Sequence, residues 1–356
     1  MKKKQPITCI GEILWDALPA GLFLGGAPLN VCLHLHELGE QAVMVSRFGQ
    51  DRLGNEALAR IKKQGLGIDH IQFDEEHETG FVQVDLDSEG APDYDIIQPA
   101  AWDFIDIRQQ DIVQLLNNSW AVVFGSLAQR TNPSLKKLLD LDCLKVLDMN
   151  LRYPHYEEVK VRYLINHSDI IKMNEDELKL LQKWYELPRD MEEAARTISS
   201  TYNCQTVCIT RGELGSLLLH NDHWFKHQGY PVEVVDAVGA GDAFLAALLH
   251  VLKSGKPEDE LLPFANAVGA YVARQTGANP GYSITQIESI LNKKGLFKYI
   301  LLHLFFQNKQ SIIPRFKEIF NHPYSVYFRL TFFPPIYYIK RPENKLKQRP
   351  ASINVC

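Results

Sequence analysis

Short apolar runs rich in β-branched residues alternate along this chain with segments whose apolar residues recur at helical spacing, and few architectures accept that order. Strands are expected over residues 8–14, 43–48, 121–124, 146–149, 170–173 and 207–210, and helices over 29–38 and 55–64. Such repetition reads as a mostly parallel sheet covered by helices. A β/α barrel would give the same rhythm, so both α/β arrangements stay open at this level. With 356 residues, 46% of them hydrophobic, the chain can bury a core sufficient for one large α/β unit or two domains.

Residues 236–249 read Asp-Ala-Val-Gly-Ala-Gly-Asp-Ala-Phe-Leu-Ala-Ala-Leu-Leu. An expected strand over 232–235 runs into this small-residue turn, and the turn runs straight into an apolar helix. Gly239, Ala240 and Gly241 carry no bulky side chain, so a ligand can approach their backbone. The helix start directs unpaired N–H groups and a positive dipole end over the turn, which suits an anion and most often a phosphate. Asp242 lies in the first helical turn, where a carboxylate can accept a proton from a hydroxyl aligned against that phosphate. A cradle with a base beside it is the minimum equipment for phosphoryl transfer. A plain helix cap would use the same residues.

A second small-residue turn, Gly25-Gly26-Ala-Pro-Leu-Asn30-Val-Cys32, also leads into a helix, with Val31, Leu35 and Leu38 on its core face. Asn30 offers a donor and an acceptor to a hydroxylated ligand. Upstream, residues 11–16 are expected to form a strand that ends on an acid, Asp16, near the same pocket.

Together these two segments resemble the PfkB (ribokinase-like) family of carbohydrate kinases, and its fructokinase branch in particular. The resemblance covers roughly residues 5–292 and runs through further segments in the family's order. These are Ser46-Arg-Phe-Gly49-Gln-Asp51-Arg-Leu-Gly54, Thr79-Gly80-Phe-Val-Gln-Val, Pro99-Ala-Ala-Trp102-Asp103-Phe104 and Gly125-Ser-Leu-Ala-Gln-Arg130. Asp148-Met-Asn150-Leu-Arg152, Asn174-Glu-Asp-Glu177 and Thr210-Arg-Gly212-Glu-Leu-Gly215 follow. Cys32 and Ala237 depart from the family's usual residues, the second removing a hydroxyl from the phosphate turn.

The resemblance implies a three-layer ribokinase-like fold, a mostly parallel central sheet flanked by helices, with a small β lid from about residues 12–26 and 79–100. A hairpin turn is expected at 87–90. It implies ATP-dependent phosphorylation of a sugar hydroxyl, most naturally the 6-hydroxyl of fructose, with Asp242 as base and the amides of residues 238–242 receiving the transferring phosphoryl group. Arg152 would reach the γ-phosphate or the sugar. Asp16, Gly25, Gly26, Asn30 and Asn150 would bind sugar. Thr210, Gly212, Gly215 and Asn266 would lie on the nucleotide side. Asn174 and Glu177 would order Mg2+ through its waters, and their three-residue spacing equally makes a capping box. Asp236, with carbonyls near residues 238 and 277, resembles a monovalent-cation site suited to K+. Lids of this kind pair subunits in many relatives, so a homodimer is the expected assembly.

Another sugar substrate (ribose, 2-keto-3-deoxygluconate or a nucleoside) would keep the chemistry. A non-catalytic sugar-binding regulator would keep only the fold, and the intact Asp242 between its glycines and helix argues against it. A P-loop kinase needs G-x-x-x-x-G-K-[ST], a string absent from the chain.

Composition narrows the setting. Residues 293–356 hold 12 Lys or Arg against two acids, whereas the rest holds 26 against 41. The acidic body that carries the motifs is poor material for nucleic acid. The basic, aromatic-rich tail reads as an extension outside the family domain of residues 1–292, poorly ordered by composition. No apolar segment is long enough for a bilayer span, and the stretch after Met1-Lys-Lys-Lys carries Glu12 and Asp16, unlike a signal peptide. Six cysteines without CxxC pairs suit a reduced cytoplasm. His34 and His36 point to different helix faces, so core or solvated roles are expected rather than a metal.

Overall fold

The computed structural model describes residues 5–18, 21–86, 92–131 and 133–292. The expected turn at 87–90 and the tail from residue 293 lie outside the described residues. Nine strands form the main sheet: β1 (Ile7–Ile10), β4 (Ala42–Gly49), β5 (Ile71–Asp74), β8 (Ala121–Gly125), β9 (Leu144–Asp148), β10 (Ile170–Asn174), β11 (Thr206–Thr210), β12 (Ser216–His220) and β13 (His223–His227). Their order is β13-β12-β11-β10-β9-β8-β1-β4-β5. From β11 to β5 every pair is parallel, and only β12 and β13 turn back antiparallel. An open sheet with two distinct edges excludes the barrel.

Both faces are covered, which is why the central strands are apolar throughout rather than alternating. Val122 and Phe124 of β8 pack with Ile112 of α3 (Gln110–Asn117), Leu164 of α4 (Glu158–Asn166), Leu178 of α5 (Glu175–Tyr185) and Ile198 of α6 (Met191–Tyr202). Ala121 and Val123 point the other way, with Leu35 of α1 (Ala27–Glu37), Ile61 of α2 (Arg52–Lys63) and Leu249 of α7 (Ala240–Ser254). Helix α8 (Leu261–Ala273) packs on α7 in a further core. The result is three layers, helix on sheet on helix.

A second sheet of order β3-β2-β6-β7 forms the lid, from β2 (Leu14–Leu18), β3 (Gly21–Gly25), β6 (Gly80–Leu86) and β7 (Pro92–Ile96). Leu14 of β2 pairs with Gly80 of β6, joining the two parts of the lid. The expected strand over 8–14 is therefore two strands in different sheets. Asp16 lies in the middle of β2 rather than at the end of an 11–16 strand, because β1 stops at Ile10 and residues 11–13 cross between sheets. Gly26 (φ 113) makes the return from lid to α1, and a Cβ there would collide with the Glu12 carbonyl.

The expected strand over 232–235 does not form. Among the described residues no strand pairs with it, and its backbone meets a helix end instead. The Val235 amide donates to the Ala273 carbonyl, and Val234 and Val235 are 59% and 62% exposed.

Candidate active site

The motif residues gather at the carboxyl ends of the parallel strands, where open α/β sheets bind ligands. Glu12 follows β1, Asp148 ends β9, and Asn174 and Thr210 end β10 and β11 side by side in register.

At the start of α7, Gly239 is the N-cap with φ 76, and a Cβ there would lie 2.6 Å from Ala278. Glycine is required by conformation and by space alike. Two of the five amides expected to face an anion are already used. The Val238 amide donates to Asp236 Oδ1 at 3.0 Å, and the Ala240 amide donates to the Ala237 carbonyl at 3.3 Å. Among the described residues none accepts from the amides of Gly239, Gly241 or Asp242, so the anion cradle narrows to these three.

Asp242 is partly exposed at the mouth of this cradle. Asn30 Nδ2 donates to its Oδ2 at 2.8 Å, and Asn279 Nδ2 donates to Asn30 Oδ1 at 2.7 Å. Asn30 therefore orients the carboxylate, and only its second amide hydrogen is left for a hydroxyl. The segment carrying Asn279 is fixed in turn by α1. His34 meets the Ala278 carbonyl through Nε2 (2.9 Å) and the Tyr282 hydroxyl through Nδ1 (3.3 Å). Burial pushes His34 down to about 4, so it is neutral. A carbonyl can only accept, so Nε2 carries the proton and Tyr282 donates to Nδ1.

Behind the cradle lies a cluster of buried charge. Lys172 Nζ donates to Asp148 Oδ1 at 2.9 Å, and the two residues are register partners on β10 and β9. A Cβ on Gly241 would lie 3.1 Å from that ammonium. Burial raises Asp242 above the usual carboxylate range, opposed by Lys172, then by the Asn30 hydrogen bond and Arg152. Glu12, 1% exposed, is pushed up to about 8 by burial, with Asp242 and Asp148 adding to the rise and Arg152 opposing it. Asp16 is pushed up to about 6 by burial against the pull of Arg152. Arg152 is exposed at the cleft, and its charge reaches all four carboxylates. Glu12 Oε2 and Asp148 Oδ2 are buried without a hydrogen-bond partner among the described residues, unusual for native carboxylates and an open demand for a donor.

Asp16 Oδ2 would be 2.6 Å from a Cβ on Gly25, so that glycine leaves room for the carboxyl group. Asn150 adopts φ 37 at the turn after β9, and its carbonyl faces Ser126 Oγ at 3.5 Å. Asn174 and Glu177 close the capping box, Asn174 Oδ1 accepting from the Glu177 amide and Glu177 Oε2 from the Asn174 amide. Glu177 Oε1 also accepts from the Leu151 amide at 2.8 Å, which ties the Asn150–Arg152 turn to α5. With both oxygens engaged, Glu177 fits Mg2+ only through intervening waters. Asp236 accepts from the Val238 and Gly277 amides, clasping the cradle to the 277 loop. Its free lone pairs and nearby carbonyls are oxygen donors of the kind a monovalent cation takes.

On the far side, Gly212 and Gly215 have φ 55 and 82, and a Cβ on Gly215 would collide with the His227 carbonyl. Thr210 Oγ1 reaches only the Met173 carbonyl, at 3.4 Å. Asn266 does not offer its donors to a ligand as expected. Nδ2 donates to Ser216 Oγ and the Leu262 carbonyl, pinning α8 to β12. Arg130 makes a bidentate ion pair with Asp103 and stacks on Trp102, joining the end of the lid to the turn after β8. A cleft of about 770 Å3 is lined by Arg47, Phe73, His77 and Phe104, with residues from two of the family segments but none of the residues expected to bind sugar, nucleotide or metal.

Sequence reasoning had not placed Glu12, Asp148, Lys172 or Asn279 in the site. For the first three a signal existed, a lone charge in or beside an otherwise apolar run that burial on both faces should forbid.

This geometry can hold an anion on bare amides while a carboxylate beside it takes a proton, the equipment of a phosphotransferase. The sequence pattern of the pfkB family carbohydrate kinases matches residues 20–285, and the chain belongs to that family. It is an ATP-dependent carbohydrate kinase. Fructokinase-1 of Oryza sativa subsp. japonica is 27% identical over 80% of this chain and 97% of its own. A sugar kinase from Pyrococcus horikoshii, solved in complex with ATP, is 27% identical with a TM-score of 0.66 over 77% of this chain and 94% of that one. A fructokinase from Vibrio cholerae O395, solved with fructose, ADP and calcium, shares the fold at 23% identity and a TM-score of 0.69, over 81% and 99% of the two chains. No helix among the described residues is long and apolar enough to cross a membrane.

Proposed function

We propose that the chain transfers the γ-phosphoryl group of ATP to the 6-hydroxyl of fructose. The observation that carries the reading is the Asn279–Asn30–Asp242 chain of hydrogen bonds ending beside the unclaimed amides of Gly239, Gly241 and Asp242. It sets one carboxylate oxygen at a helix N-terminus, with its other oxygen available to a hydroxyl. The likeness to fructokinases supports fructose as the acceptor.

Asp242 takes the hydroxyl proton as the bond to phosphorus forms, and the three amides hold the charge on the transferring group. Arg152, whose charge acts on Glu12, Asp16, Asp148 and Asp242, neutralises phosphate charge. Asp16, Gly25, Gly26 and Asn150 line the sugar side, and Thr210, Gly212 and Gly215 the nucleotide side. Mg2+, held through waters by Glu177 with Asn174 positioning that carboxylate, supplies charge neutralisation on the phosphates. K+ at Asp236 with the 238 and 277 carbonyls is the second ion of the reading. The lid of β2, β3, β6 and β7 closes over the sugar to exclude water and pairs two subunits as a homodimer. Residues 1–292 form the catalytic unit and 293–356 an extension outside it, in a cytoplasmic enzyme.

The test is ADP release over a panel of hexoses, pentoses and nucleosides. Fructose should give the highest kcat/KM, and Asp242→Asn should lower kcat by about 10²- to 10⁴-fold. Full turnover in that variant would remove the assigned base. Silence of the native protein with every sugar would overturn the reaction.

A further inference from the structure

Lys172 is the one lysine in an otherwise apolar strand, Ile-Ile-Lys-Met-Asn, and it is 7% exposed. A cation at such depth needs a reason. Its surroundings supply one, since Asp148 Oδ1 accepts its hydrogen bond at 2.9 Å and its charge is felt by Asp242 and Glu177. Burial alone would lower the lysine, yet Asp148, Asp242 and Glu177 outweigh it and hold the ammonium protonated. On its other side the ammonium abuts the backbone of Gly241, close enough that a single added carbon would stand 3.1 Å away. Gly241 is one of three residues whose amides are unclaimed. Lys172 therefore backs the cradle from inside the protein.

We propose that Lys172 is a positioning residue for phosphoryl transfer, its ammonium acting on the anion cradle through Gly241 and on Asp242 through space. Resting on the kinase reading above, the inference adds a source of positive charge that costs no reorganisation when the phosphoryl group arrives. It also explains why a carboxylate as enclosed as Asp242 can work as a base. The charged groups facing Asp242 are Lys172 from β10, Asp148 from β9 and Arg152 from the turn after β9, with Glu12 from the segment after β1, which keeps its proton up to about pH 8, and neutral Asn30 from α1. Lys172 is the foremost of these in holding Asp242 ionised. The pair with Asp148 fixes the ammonium behind Gly241, and Asp148 Oδ2 has no hydrogen-bond partner among the described residues.

The experiment is Lys172→Met in the full chain, assayed by ADP release with whichever sugar the native enzyme turns over. The kcat should fall roughly 10²-fold, the loss seen when one transition-state donor is removed, with little change in KM for ATP or sugar. The acid limb of the kcat–pH profile should move up by roughly 1–3 units, the effect of one neighbouring opposite charge. A lysine that only supports the fold would lower the melting temperature and leave that limb in place. If Lys172→Met does not fold, Asp148→Asn keeps an oxygen for the ammonium while removing a negative neighbour, and the acid limb should then move down. An unmoved limb in a folded Lys172→Met protein, or in Asp148→Asn where the first does not fold, overturns the inference. A native protein that phosphorylates nothing would instead overturn the kinase reading, so the two failures are distinct.

Discussion

Glu12 shows how far single side chains in this site are from their solution behaviour. Its carboxyl group ordinarily titrates at 4.5 and is pushed up to about 8 in the folded chain. Between those values the unfolded chain gives up its proton while the folded chain keeps it, so stability falls as pH rises from about 4.5 to about 8 and the loss is complete above that. Glu12→Gln removes the titrating group. Thermal melts of the variant should lie above the native protein at pH 8, by an amount on the order of a few kcal/mol, and the gain should vanish near pH 4.5. A constant difference across pH would show that Glu12 ionises as it does in water. Asn30 works in the opposite sense, as a donor to the ionised form of Asp242. A hydrogen bond to a charged acceptor is worth about 1.5–3 kcal/mol. Asn30→Ala should therefore lower kcat by roughly one to two orders of magnitude, read in the same ADP-release assay, with a smaller change in the KM for ATP.

Among the elements, α5 carries the closest link between local stability and the site. Its capping box satisfies two backbone donors, and the same Glu177 reaches across to the Leu151 amide. Asn174→Ala should cost about 1 kcal/mol, which lowers the melting temperature by about 2–4 °C in a domain of this size. The Glu177 carboxylate itself is held by the backbone amides of Asn174 and Leu151, which the substitution keeps, so the response to Mg2+ should be unchanged in a titration of activity against Mg2+. At this scale the sequence was most readable where physics leaves one option. Strands buried on both faces show as continuous apolar runs, and β4, β8, β9, β10 and β11 fall within two residues of expectation. The short lid strand β2 is interrupted by Asp16 and starts only four residues after β1, so the two merged when read from residue types alone. The 232–235 segment misled for the opposite reason. Its valines favour extended backbone, but a strand also needs a neighbour, which is a property of distant sequence. Within the site, turn glycines and Asn30 stand out because local geometry demands them. Lys172, Asp148 and Glu12 acquire their roles only once β10, β9, β8 and β1 are assembled in one sheet, and Asn279 only once a late loop reaches the first helix.

For the whole molecule, the charge imbalance between residues 293–356 and the rest sets one expectation. Among the described residues, the site draws on side chains from Glu12 to Asn279. A chain ending at Lys294 should fold with unchanged circular dichroism and keep native kcat and KM, and loss of all turnover on that truncation would assign the extension a catalytic part. The opposite end of the domain is another matter. Asp236, Asn279 and the His34–Ala278 contact knit the last loop of the domain to the phosphate turn and the first helix. During translation the earlier strands can pair and the lid can form while residues 277–279 are still inside the ribosome. The nascent protein at that stage has every motif segment yet no aligned base, so it should neither consume ATP nor waste it on water until the domain is all but complete.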